Sequence, residues 1–314
     1  MPILRFLPEA TKINFVGLRY IAFAIDGLLL IASIVSIAIH GFNLGIDFTG
    51  GVSQQVKAAH EIQLEDMRRE IDSLGFKEAG LQYIGGGACD TPKNSCVNIR
   101  VQPDARYPEQ TVSDTIKKKL GSGYEFRQAD VVGPKVSGEL FHAGVYATLL
   151  AIVAIAAYVS LRFEWQYGIS AALATGHDVL VTAGMFSLLH LDFTLTSVAA
   201  LLTLAGYSIN DTVVVFDRIR ENRRKFKRMP LPDLINLSTN QMMTRTILTS
   251  VATSTSIIPI LIWGGPTLFE FTAAILFGIL VGTFSSIYVA AMLLLYLPHP
   301  AGGVSDREPA TATP

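Results

Sequence analysis

Apolar residues fill long unbroken stretches of this 314-residue chain, and polar residues collect between them. Crossing a hydrocarbon core of about 30 Å takes about 20 apolar residues. Six stretches meet that length: Tyr20–Ile39, Phe141–Leu161, Gly168–Leu189, Thr194–Phe216, Thr244–Ile262 and Phe271–Leu297. The first is preceded by Arg5, Lys12 and Arg19, as a signal core is, but it is too long for a signal core and no convincing A-x-A cleavage site follows it. It reads as an uncleaved anchor. Between the first and second stretches the period changes. Leu64, Met67, Ile71 and Leu74 recur at helical spacing within Glu61–Leu74, as do Val112, Ile116 and Leu120 within Glu109–Leu120. Strand-like runs surround them at Ile46–Val56, Phe76–Ile84, Val97–Val101 and Tyr124–Val132. The order β-α-β-β-α-β predicts a ferredoxin-like α+β domain, with two helices on one face of an antiparallel sheet. The chain is therefore expected to be a polytopic α-helical membrane protein with six transmembrane helices and one external domain.

Composition agrees. Half of the residues are hydrophobic and 16% are charged, against roughly a quarter charged in soluble domains. A soluble enzyme and a disordered chain are both excluded, and a net charge of −1 argues against nucleic acid as a partner. About half of the charged side chains fall in residues 41–139. Orientation follows from the short loops. Arg218, Arg220, Arg223, Arg224, Lys225, Lys227 and Arg228 cluster after the fourth span, whereas Leu189–Phe193 and Trp263–Glu270 carry no Lys or Arg. The basic side is cytoplasmic, which places both termini inside and the large first loop outside. The organisation read from the sequence is a cytoplasmic segment 1–19, a first span 20–39 and an external domain 40–140. A five-helix region 141–297 follows, with a basic cytoplasmic loop 217–243, and then a Gly/Pro/Thr-rich disordered tail 298–314. Topology explains the basic run, although contact with anionic lipid also fits it.

Cys89 and Cys96 are the only cysteines, in a Gly-rich connection between the second and third predicted strands. In an oxidising compartment they are expected to form a disulfide. No further Cys pair or nearby His completes a zinc set. No Ser/His/Asp arrangement, HExxH or phosphate-binding Gly-Lys-Ser/Thr loop is present, so no enzyme activity, cofactor or ATP use is expected.

The sharpest chemical signal lies inside the spans. Asp26, Asp178, Asp211 and Arg245 are their only formally charged residues. Each costs a few kcal/mol facing lipid, so each is expected to face the bundle. Thr203, Tyr207 and Asp211 share one face of the fourth span, with Asn210 adjacent. Arg245 opens a fifth span in which eight of residues 244–256 are Ser or Thr, and Arg245, Thr249, Thr253 and Ser256 share one side. Burial disfavours a carboxylate and a neighbouring cation favours it. The arrangement thus describes either a proton-conducting groove or a static ion pair. His177-Asp178 in the third span extends a relay or hydrogen-bonds across helices. Asp26 either snorkels toward the cytoplasmic end or pairs with a base. Gly278 and Gly282 form a close-packing GxxxG face.

Three longer motifs add a resemblance. Gly45-Ile46-Asp47-Phe48-Thr49-Gly50-Gly51 follows the first span, and Val132-Gly133-Pro134-Lys135-Val136-Ser137-Gly138-Glu139-Leu140 leads into the second. Ala205-Gly206-Tyr207-Ser208-Ile209-Asn210-Asp211-Thr212-Val213-Val214-Val215-Phe216-Asp217-Arg218-Ile219-Arg220-Glu221-Asn222 runs through the fourth span. They resemble the landmarks of the SecD/SecF family of bacterial protein-export subunits, in its SecF version, over roughly residues 20–297. His177-Asp178 and Arg245-Thr246 match as well. The resemblance implies half of an RND-type bundle in the bacterial inner membrane, with the external domain in the periplasm. It also implies an obligate partner, SecD, and association with the SecYEG channel, YajC and YidC. In that family the complex draws on the proton motive force to move exported polypeptide, and the fourth-span Asp and fifth-span Arg serve proton flow; those positions are Asp211 and Arg245 here. Two other functions stay open at this point: an exporter of small hydrophobic molecules or lipids, and a passive scaffold for a translocase.

Overall fold

The computed structural model describes residues 11–84, 89, 91–102 and 108–298. Most of the tail read at 298–314 and much of the Gly85–Gly87 connection lie outside these residues. Six of the described helices are long and apolar enough to cross a membrane. They are α1 (Phe15–His40), α5 (Pro134–Arg162), α6 (Trp165–Leu188), α7 (Leu195–Lys225), α8 (Leu231–Trp263) and α9 (Pro266–Ser285), the last continued by a π-helical turn at Ser286–Ala290 and by α10 (Ala291–Leu293). The chain is a multi-pass membrane protein. Its helices run past the apolar stretches, because a helix pairs its backbone groups wherever it lies and does not end at the lipid boundary. The basic segment expected as a loop is instead mostly helical. α7 continues through Arg218 to Lys225, held by buried Ile219 and Asn222, and only Phe226–Pro230 separates it from α8.

α6, α7 and α9 form the centre. Of the most apolar window of each, 61%, 50% and 67% is buried, against 22% for α1 and 11% for both α5 and α8. Small residues permit this packing. A Cβ on Gly278 would lie 2.5 Å from both Leu204 methyl carbons, and one on Gly282 3.3 Å from Ser208 Cβ, so the GxxxG face carries α9 against α7 within the chain. α1, α5 and α8 leave broad apolar faces uncovered, including Leu28, Ile31, Leu150, Val153, Leu248 and Val251.

The external domain contains β2 (Gly51–Ala58), α3 (Leu64–Asp72), β3 (Lys77–Tyr83), β4 (Cys96–Gln102), α4 (Glu109–Leu120) and β5 (Tyr124–Val132). Its sheet is antiparallel in the order β3-β4-β2-β5, which is the ferredoxin-like topology. Inward residues at period two, Val52, Val56, Val97, Ile99 and Val101, meet Met67, Ile71, Val112 and Ile116 from the two helices, all buried. Cys89 and Cys96 are joined by a disulfide of 2.04 Å. One strand starts later than its pattern suggests. Residues Ile46–Thr49 form a helical turn, α2, and β2 begins only at Gly51. Gly50 and Gly51 have φ of 73° and 123°, and a Cβ on Gly51 would lie 2.7 Å from the Val101 carbonyl oxygen, so the bend depends on glycine.

The domain is anchored to the bundle at the C-terminal ends of two helices. β1 (Asn43–Leu44), after α1, pairs in parallel with β6 (Asp192–Phe193), after α6. Arg100 on β4 forms an ion pair with Asp192 and reaches Asn43 Oδ1 and Gln82 Oε1 at 3.3 Å each. The Asp192 backbone N–H donates to Glu270 Oε1 at 2.9 Å. Asp47 Oδ2 accepts from the Leu195 N–H at 2.8 Å, a carboxylate at the N-terminus of α7 where free amides favour negative charge.

Candidate functional site

Two acidic centres lie within the bundle. α7 supplies Asp211, which is buried. Its Oδ1 accepts from Thr249 Oγ1 on α8 at 3.5 Å, while Oδ2 is buried with no hydrogen-bond partner. The Arg245 and Thr246 carbonyl oxygens, at 3.1 and 2.9 Å, compete with Asp211 for the one Thr249 hydroxyl hydrogen, and Thr253 donates back to the Thr249 carbonyl oxygen at 2.9 Å. The hydroxyl-rich face of α8 is thus largely saturated by its own backbone, as Ser and Thr at helical positions allow. Arg245 lies in a cleft of about 450 Å³ with Tyr158, Phe163, Val213, Asp217 and Met242. It is exposed, and among the described residues no ion pair joins it to Asp211. Asn210 is exposed on the outer side of α7. Tyr207 points elsewhere, its hydroxyl donating to Ser250 Oγ at 3.3 Å, and Ser250 in turn meets Thr283 Oγ1 on α9 at 2.7 Å.

The second centre is fully buried. Asp178 on α6 accepts at Oδ2 from Ser208 of α7 at 2.5 Å and from Ser285 of α9 at 2.7 Å. Its Oδ1 lies 3.0 Å from His177 Nδ1. Gly282 permits this: a Cβ there would stand 3.5 Å from Asp178 Oδ2, so α9 comes close enough for Ser285 to reach it. The π-helical turn starts at the next residue. Ser286 Oγ meets Thr212 Oγ1 at 3.1 Å, and the Ala290 carbonyl oxygen accepts from Ser170 Oγ at 2.6 Å. Such turns are frequent at functional sites. Ser286 Oγ also lies 3.5 Å from the Ser208 carbonyl oxygen, so this turn packs beside Ser208 and Thr212 of α7.

Of the residues picked from the sequence, Asp211, Thr249 and Thr253 gather at the first centre, with Arg245 at its edge. His177 and Asp178 form the second, and Tyr207 lies between α7, α8 and α9. Asp26 belongs with the second centre: its Oδ1 is 3.7 Å from His177 Nε2. Asp26 is buried against α6 and is not turned outward along α1, so of the two expectations it pairs with a base and does not snorkel. Ser208 and Ser285 were not picked out, since single serines in apolar helices carry no signal by themselves. Among the described residues no group of His, Cys, Asp and Glu has metal-site geometry.

Comparison with known proteins identifies the scaffold. The family model "Protein export membrane protein SecD/SecF, C-terminal" matches residues 112–299, and the model for the SecD/SecF GG motif matches residues 35–59. The protein translocase subunit SecF of Cereibacter sphaeroides is 39% identical over 96% of this chain and 94% of its own length. That of Rhodobacter capsulatus is 37% identical over 94% and 91%. The crystal structure of SecDF from Thermus thermophilus superposes with a TM-score of 0.83 at 35% identity, covering 93% of this chain. This chain spans 39% of that longer SecDF chain. The matched ranges take in both the join at Asp47–Gly51 and the helices that carry Asp178 and Asp211, and the chain belongs to the SecD/SecF family of protein-export membrane proteins.

Proposed function

We propose that this chain is the SecF-type subunit of a proton-driven protein-export machine in the bacterial inner membrane, with both termini cytoplasmic and the ferredoxin-like domain in the periplasm. It pairs with a SecD chain, which supplies the part of SecDF without counterpart here, and works beside the SecYEG channel with YajC and YidC. The apolar faces of α1, α5 and α8 are the surfaces such partners and lipid cover, since exposed apolar patches of this size mark interfaces or membrane contact.

The observation that carries the proton role is the unpartnered, buried Oδ2 of Asp211. A buried carboxylate oxygen without a donor is costly when ionised and loses that cost on taking a proton. Asp211 therefore takes up a proton from the periplasmic side and gives it up toward the cytoplasm when Arg245 swings in from its cleft. Each charge crossing the membrane supplies about 2.3 kcal/mol per 100 mV. The joins at Asp47–Gly51 and Gly133–Gly138 transmit the helix shift to the external domain. The test is Asp211→Asn in proteoliposomes holding the SecD partner and the channel. Proton-dependent completion of export is expected to disappear while ATP-driven initiation persists. Unchanged proton dependence would reject the role.

A further inference from the structure

α1 and α6 lie side by side at one constant offset in residue number. Asp26 meets His177, Ser33 meets Gly184 and Ser36 meets Ser187. A constant offset of this kind arises only for parallel helices in register. The contact is close: a Cβ on Gly184 would fall 2.2 Å from Ser33 Cβ, and the Ser36 and Ser187 hydroxyls are 3.0 Å apart. Beyond the bundle the same two helices feed β1 and β6, which are also parallel.

Inside this seam the hydrogen-bond supply is uneven. Asp178 is saturated, with two hydroxyl donors on Oδ2 and the imidazole on Oδ1. A carboxylate in its ionised form only accepts, and in that form Asp178 takes all three contacts and His177 carries its hydrogen on Nδ1. The other ring nitrogen, Nε2, has no side-chain hydrogen-bond partner and faces Asp26, neither of whose carboxylate oxygens has one. The groups that α7 and α9 turn toward Asp178 are the hydroxyls of Ser208 and Ser285, which do not titrate here. No Lys or Arg among the described residues pairs with any of the three. With a neutral ring the cluster holds two buried negative charges and no cation. One proton on Nε2 or on Asp26 removes half of that imbalance, and only a small approach from 3.7 Å separates the two from a shared hydrogen bond.

We propose that Asp26 and His177 form a second proton-binding site in this chain, distinct from Asp211, in which one proton is held between the Asp26 carboxyl and His177 Nε2. Loading adds one proton from water, as an N–H or O–H bond, and unloading returns it. With the proton present the two side chains attract and draw α1 onto α6. Without it two carboxylates face one another across the ring and the seam loosens. Since α1 and α6 end at the β1–β6 anchor of the external domain, occupancy is read there. That last link rests on the proton-driven reading of export; the binding site does not.

The test is a pH titration of the full chain in lipid nanodiscs, with ¹⁵N-histidine observed by solid-state NMR and His177 assigned by the signal lost in His177→Gln. In the unmodified protein Nε2 is expected to titrate while Nδ1 keeps its hydrogen. Asp26→Asn is expected to move the His177 midpoint to lower pH by about one unit or more, because a carboxylate within about 4–6 Å favours the imidazolium by that amount. Asp26→Glu, which keeps the acid, is expected to restore it. A His177 midpoint indifferent to Asp26→Asn overturns the proposal; should that variant not fold, loss of hydrogen from Nδ1 before Nε2 in the unmodified protein does the same. Asp211→Asn is expected to leave the His177 titration in place. If it also leaves proton-driven export intact, the export reading fails and this site stands.

Discussion

Asp178 and Asp211 are buried carboxylates on neighbouring helices, and they differ in how the chain has treated them. Asp178 is closed in by three donors from α6, α7 and α9, the three best-buried helices. Asp211 has one long contact from α8, which is scarcely covered, and one oxygen without a donor. A saturated buried anion is a structural keystone, because removing it strands several donors at once. An unsaturated one is held at a cost and is free to change state. The difference teaches where stability ends and working chemistry begins in this bundle: the closed centre holds three helices together, and the open one lies against α8, a helix this chain leaves largely uncovered.

The largest effect separating the two is functional. Asp211→Asn is expected to abolish proton-dependent export yet to shift the thermal midpoint of the purified protein very little, since no well-formed hydrogen bond is lost. Asp178→Ala should do the reverse at the level of folding. It leaves Ser208, Ser285 and the His177 ring without their acceptor, and about 2–3 kcal/mol of stability is expected to go, by analogy with other buried donors stranded by a mutation. Thermal or denaturant unfolding in detergent measures it. Equal destabilisation by the two substitutions would erase the distinction.

Gly282→Leu attacks the closed centre from its packing. The new side chain meets Ser208 and Asp178 where a Cβ already touches, and overpacking of this kind costs about 1–3 kcal/mol. The same unfolding measurement applies, and a loss below that of Asp178→Ala is expected. Arg100→Ala should loosen the anchor between domain and bundle without affecting either acidic centre. Faster amide exchange at Asn43–Leu44 and Asp192–Phe193 is expected, worth about 1 kcal/mol of local stability for a partly exposed pair. The smallest effect belongs to Thr249→Val. Its bond to Asp211 is 3.5 Å long, so stability should change by no more than about 0.5 kcal/mol. A larger loss would show that Asp211 is held more firmly than its geometry indicates.

Much of the architecture was legible in the chain. Apolar length alone marks six spans, and period-two and helical spacing mark the ferredoxin-like domain, since both report which face meets a core. The extension of α7 and α8 through the basic segment was not legible. Charged residues look the same in a helix above the membrane as in a loop, and the buried partners of Ile219 and Asn222 come from other helices. Ile46–Thr49 looks like a strand because Ile46, Phe48 and Thr49 are strand formers, yet Gly50 and Gly51 turn the chain so that Asp47 reaches α7. For the site, Asp211, His177 and Asp178 stood out as charges in apolar runs. The role of Asp26 did not, although its spacing to Ser33 and Ser36 traces one polar face of α1.

The sequence by itself determined that this protein lives in a membrane, how many times it crosses, which side is basic and which acids are costly enough to matter. These are local properties, set by transfer free energy and period along the chain. Only the tertiary structure decided which acid is satisfied and which is not, that Arg245 stands apart from Asp211, and that Asp26 faces His177 across the α1–α6 seam. Hydrogen-bond supply at a buried carboxylate depends on residues from three or four helices brought within about 3 Å, and no pattern along a single helix encodes that meeting.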